Sequence, residues 1–141
     1  MVAAPPALDR FRPIWRAVAT SVVPEASQLG AAEWTEFEAI VGRALAARPA
    51  RTQRQVALFL SLLDWMPLLR YGRRLRTLDP ARRARFLSSL QHAPSLLIRR
   101  GFWGVRTLVL MGYYGRPAAA AAIGYRPDPR GWEARGGVAR P

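Results

Sequence analysis

The sequence predicts an all-α protein: a compact bundle of about five to six helices with an extended C-terminal tail. Three observations predict it. Apolar residues recur at helical spacing along almost the whole chain, and no segment shows convincing strand alternation. Pro and Gly fall between the periodic stretches, where they close one helix or open the next. Half of the 141 residues are apolar and 10% are aromatic, which supplies a core for a chain of one-domain length. Residues 1–125 are read as the helical domain, and 126–141 as a Pro/Gly/Arg-rich tail bound by a partner.

The first helix should start near Asp9, a fitting N-cap, and carry Phe11, Ile14, Trp15, Val18 and Val22 on one face. Pro13 is expected within its first turn, and Pro24 ends it. The second helix spans about residues 31–47, with Trp34, Phe37, Val41, Ala44 and Leu45 as its buried stripe and Glu33 and Glu36 at the positive end of its dipole. The third should open on a capping box, Thr52 capping and Gln55 reaching back. It has two apolar faces, Val56, Phe59, Leu60 and Leu63 on one and Leu58, Leu62 and Trp65 on the other. Such a helix lies centrally or is covered by something else.

After Pro67, residues 68–78 read as a turn or loop rich in Arg. Asp79-Pro80 then caps and starts a fourth helix to about Gln91, with Phe86, Leu87 and Leu90 inward. Pro94-Ser95 opens a fifth, to about Tyr113. One of its rows is Ile98, Phe102, Val105 and Val109; another is Leu97, Gly101, Gly104, Leu108 and Met111. The two glycines are tolerable there if another backbone packs closely on them. Gly115 is a C-cap, and Pro117 starts a short Ala-rich helix that Gly124 stops.

Charge narrows the choice of partners. All 22 basic residues are Arg, and the net charge is +13. Residues 1–70 hold eight Arg and six acids, a net of +2; residues 71–141 hold fourteen Arg and three acids, a net of +11. An electrostatic docking surface therefore belongs mainly to the second half. The absence of Cys removes disulfides, thiolate metal sites and thiol nucleophiles. No uncharged apolar run reaches the roughly 18 residues of a transmembrane helix. No export signal is visible near Met1, so a cytoplasmic location is expected, or a periplasmic one if the chain is exported with a partner.

Catalytic chemistry finds little footing. His92 is the only histidine and sits in what reads as an interhelix turn. Glu33, Glu36 and Glu38 form the only acidic cluster, read as a solvated helix start. There is no metal-ligand spacing and no phosphate-binding glycine loop. The clusters of Arg70 to Arg76 and Arg82 to Arg85 match no recognition-helix or stacking-platform pattern, which disfavours nucleic acid. The expectation is a chain without catalytic centre, metal or cofactor. An Arg-rich module for nucleic acid or an anionic membrane surface is the alternative.

The sharpest feature is aromatic. Met111-Gly112-Tyr113-Tyr114-Gly115-Arg116-Pro117 is followed by Ile123-Gly124-Tyr125-Arg126-Pro127. Tyr and Arg are enriched where interfaces hold most of their binding energy; the same residues could equally be caps packing on the domain's own core. The candidate partner-binding residues are Arg99, Arg100, Phe102, Tyr113, Tyr114, Arg116, Tyr125 and Trp132.

From about Val18 to Pro129 the chain resembles the gluconate 2-dehydrogenase subunit 3 family. The resemblance lies in Val22-Val23-Pro24, in Leu62-Leu63-Asp64-Trp65-Met66-Pro67-Leu68 and in Leu78-Asp79-Pro80-Ala81-Arg82-Arg83 before Phe86-Leu87. Most specific is Tyr113-Tyr114-Gly115-Arg116-Pro117 with Ile123-Gly124-Tyr125. A similar domain looks fused ahead of some bacterial alcohol oxidoreductases of the glucose–methanol–choline class. The resemblance implies a small helical subunit that binds and stabilises a large dehydrogenase subunit in a hetero-oligomer, and helps its folding or export. The large subunit would carry FAD and oxidise an alcohol, sugar or sterol hydroxyl. Several relatives carry an export signal that is not visible here, and without Cys this subunit cannot hold a covalent c-type haem.

Overall fold

A computed structural model describes residues 6–124. Of these, 83% are helical and none lies in a strand, which bears out the all-α class. The elements are α1 (Pro6–Val22), a 3-10 turn (Pro24–Gln28), α2 (Ala31–Ala46), α3 (Ala50–Trp65), α4 (Leu68–Tyr71), a 3-10 turn (Leu75–Thr77), α5 (Pro80–Ser89), a 3-10 turn (Leu90–His92), α6 (Leu96–Tyr114) and α7 (Pro117–Ala122). The tail expected over 126–141 lies outside the described residues.

Helix α1 is the hub and touches α3, α5 and α6, while α2 packs along α6. Its Trp15, Val18 and Ala19 are fully enclosed, with Phe11 and Val22 half-buried at the edges of the same face. From α2 come Phe37 and Val41, from α3 Leu60 and Leu63, and from α6 Phe102, Val105 and Val109. The Trp15 and Phe37 rings lie 5.7 Å apart, and Trp34 meets Phe37 edge-on at 5.5 Å. Each such aromatic pair adds about 0.5–1.5 kcal/mol to its burial. The Trp15 indole N–H has no partner inside this core.

Three helix boundaries differ from expectation. Helix α1 begins at Pro6, so Asp9 is no N-cap; it lies in the first turn, and its carboxylate takes the Arg12 guanidinium. Pro13 consequently falls inside the helix. It removes the N–H due to the Asp9 carbonyl, at a cost of about 3 kcal/mol. Burial of Ile14, Trp15 and Val18, at about 1.5–3 kcal/mol each, offsets that cost. Helix α3 starts directly after Pro49, which leaves Thr52 in the first turn without a capping role. Instead, Gln53 Nε2 donates to the Arg48 carbonyl at 3.0 Å. Helix α5 ends at Ser89, and a 3-10 turn carries Leu90 into the core.

The stretch read as loop, 68–78, contains α4, which Gly72 closes in the left-handed conformation (φ 68°). Beyond it Leu75 and Leu78 are core residues. Asp79 caps α5 as expected, accepting from the Arg82 N–H at 3.2 Å, and Ser95 Oγ faces the Ile98 N–H at the start of α6.

Candidate partner-binding surface

After the core is filled, two helix faces keep large apolar side chains in solvent. The first belongs to α6. Leu96, Arg100, Trp103, Thr107, Met111 and Tyr114 follow one another every three or four residues on its outward side. All are exposed, and Leu97 beside them is 79% exposed. Helix α6 fills the core through Phe102, Val105, Val109 and Gly112, with Ile98, Leu108, Leu110 and Tyr113 half-buried beside them, and this outward row takes no part in that packing. The second face belongs to α3 and α4: Leu58, Leu62, Trp65, Leu68 and Leu69. The two helices meet where Gly101 faces the Phe59 ring, against which a Cβ would come within 2.5 Å. The close neighbour of Gly101 is thus a ring rather than the expected backbone. Gly104, one turn on, faces nothing within 4 Å.

The candidate residues do not all share one surface. Arg99 and Arg100 are exposed on the outer side of α6. Phe102 is 2% exposed, because it belongs to the inward row with Val105 and Val109, and it is withdrawn from the surface. Tyr113 is half-buried, edge-on to Phe37 at 6.2 Å, while Tyr114 stands perpendicular to Tyr113 at 5.0 Å and reaches solvent. Arg116 is also buried. Its guanidinium lies 4.6 Å from the centre of the Tyr113 ring, and its Nε donates to the Tyr113 carbonyl at 3.2 Å. It fastens the α6–α7 corner, while Tyr125 and Trp132 lie outside the described residues. The arrangement brings together Arg99, Arg100 and Tyr114 with Leu96, Leu97, Trp103 and Met111, which the sequence reading did not single out as site residues. The signal was present in α6 itself, whose two apolar sides leave one without an internal partner.

The charges divide into structural and free sets. Glu38 is not part of a solvated cluster. It is buried and receives Arg12 Nε at 3.1 Å and Arg16 Nε at 3.0 Å, with the Arg16 guanidinium 4.9 Å from the Trp34 ring. Glu33 does remain exposed, and its Oε2 accepts from the Gly30 N–H at 2.9 Å. Asp64, also buried, has Arg74 at 3.8 Å and Arg76 at 3.7 Å, and accepts from the Arg76 backbone N–H at 3.4 Å. Arg74 covers Trp65 at 3.7 Å. Arg83 donates to the Leu75 and Leu78 carbonyls at 3.2 and 2.9 Å, and burial lowers its pKa despite nearby Asp79.

On α6, by contrast, Arg99, Arg100 and Arg106 stand without an acid on their own helix, Arg106 lying 5.3 Å from the Trp103 ring. The outward side is therefore apolar and cationic, suited to a partner surface with apolar hollows and carboxylates. His92 is exposed at the end of its 3-10 turn. Among the described residues no group of three or more His, Asp or Glu could hold a metal, and no helix is long and apolar enough to cross a membrane. No protein-family model, curated protein or solved structure matches the chain.

Proposed function

We propose that this chain is the accessory subunit of a flavin-dependent dehydrogenase, docking on a large subunit that carries FAD and oxidises an alcohol, sugar or sterol hydroxyl. The observation that carries the docking role is the outward side of α6, where Leu96, Leu97, Trp103, Met111 and Tyr114 stay in water beside Arg99 and Arg100. Burying two such side chains on a partner is worth about 3–6 kcal/mol, before the cost of association. The identity of that partner, and its glucose–methanol–choline class, rests on the sequence resemblance alone.

Co-expression with large flavin-dependent dehydrogenase subunits of the glucose–methanol–choline class tests the reading. The expected result is a co-eluting yellow complex that Trp103→Ser with Tyr114→Ala dissociates, while the substituted subunit still folds. Elution of the chain apart from every such dehydrogenase, colourless and monodisperse, would overturn it.

A further inference from the structure

We propose that the outward ridge of α3 and α4 docks on an anionic lipid bilayer, on which the protein lies without spanning it. This uses a different face from the flavoprotein interface and needs no second subunit, so either reading can fail alone. The ridge is made of Leu58, Leu62 and Trp65, at the spacing of one helix side, continued past Pro67 by Leu68 and Leu69. Arg51 and Arg54 precede Leu58 on that same side, and Arg70 and Arg73 follow Leu69. All four arginines are exposed, and none has an ion pair among the described residues. The one acid from Ala50 to Leu78 is Asp64, buried beneath Arg74 and Arg76. The ridge is thus an apolar strip with a cationic group at each end and no exposed negative charge.

A plane of phosphate headgroups over hydrocarbon complements that pattern: the leucines enter the acyl boundary while the guanidinium groups hold phosphates. Protrusion favours a bilayer over a protein hollow. Leu69 is 96% exposed, and a fluid acyl layer takes up such a tip without a preformed cavity. Trp65, half exposed beneath the Arg74 guanidinium, has the amphipathic form of side chains that settle at the headgroup level. A second copy of this chain would bring the same positive sign to the contact, which disfavours a specific dimer on the ridge and leaves only loose apolar association in the absence of lipid.

Flotation of the full chain with vesicles tests the proposal, using phosphatidylglycerol and phosphatidylcholine in equal parts against phosphatidylcholine alone. Binding to the anionic vesicles is expected, at least about tenfold stronger than to the neutral ones and weakened by salt. Leu62→Ser with Leu69→Ser should lower it by about tenfold or more. Ile123→Ser, at an exposed apolar residue past the end of α7, should leave it unchanged, and thermal unfolding checks that each variant is folded. Equal binding to both vesicle types, or an undiminished double variant, would overturn the proposal. So would retention of the ridge by an acidic protein in the absence of any vesicle binding.

Discussion

Gly112 of α6 sits so close to Val41 of α2 that a Cβ on the glycine would lie 2.5 Å from Val41 Cγ2 and 3.5 Å from the Phe37 carbonyl oxygen. The α2–α6 contact is set by this absence of a side chain. Val41 is itself fully enclosed and has little freedom to move aside. Gly112→Ala is therefore expected to destabilise the fold by about 1–3 kcal/mol through overpacking, although alanine is the better helix former. The midpoint of denaturant unfolding would show it; an unchanged or raised midpoint would mean that the two helices can separate at little cost.

Gly104 should behave oppositely. It lies in the same helix, faces open space, and has no positive φ that needs a glycine. Gly104→Ala should stabilise the isolated chain by about 0.5–1 kcal/mol. If a partner packs on the outward side of α6, the same methyl should weaken that complex. A rise in melting temperature together with poorer co-elution is the expected pair of results, and loss of stability in the isolated chain would contradict the open geometry.

These two glycines show what the sequence could and could not convey. Spacing located α2, α3, α5 and α6 and most of their inward rows, because burial imposes a period on apolar residues whatever the neighbour is. It could not tell Gly101 and Gly112, which face other helices, from Gly104, which faces none, because that depends on tertiary contact. Phe102 and Arg116 illustrate the same limit. An aromatic or an arginine near an exposed row reads as interface until the chain turns, and here the turn at Gly115 brings Arg116 over Tyr113. Glu38 and Asp64 were missed because Arg12 and Arg16 lie far from Glu38 along the chain, and because spacing did not show that the Arg-rich turn folds Arg74 and Arg76 back over Asp64.

The Glu38 cluster gives a coupled prediction. Its carboxylate is buried, whereas Arg12 and Arg16 keep about two fifths of their side chains in solvent. Removing the acid strands two guanidinium groups that can still turn to water, so Glu38→Ala should cost about 1–3 kcal/mol. Removing either arginine leaves the other in place, so Arg12→Ala and Arg16→Ala should each cost less than Glu38→Ala, while the double variant exceeds their sum. Denaturant titrations of the four proteins measure this. Strict additivity would show that the two arginines act on Glu38 independently.

The leftover apolar faces predict how the isolated chain behaves. Leu69 and Leu97 are exposed and belong to no part of the enclosed core. Replacing both with Ser should leave unfolding stability within about 0.5 kcal/mol, the ordinary range for surface substitutions. Light scattering should nevertheless report a marked fall in self-association, because contiguous exposed apolar surface drives molecules together. The two measurements separate the possible roles of these leucines. Side chains that hold the domain together would lower the melting temperature when replaced, and side chains reserved for an outside surface would alter only association. A fall of several degrees in melting temperature would return both residues to the folding of this chain and remove them from any docking surface.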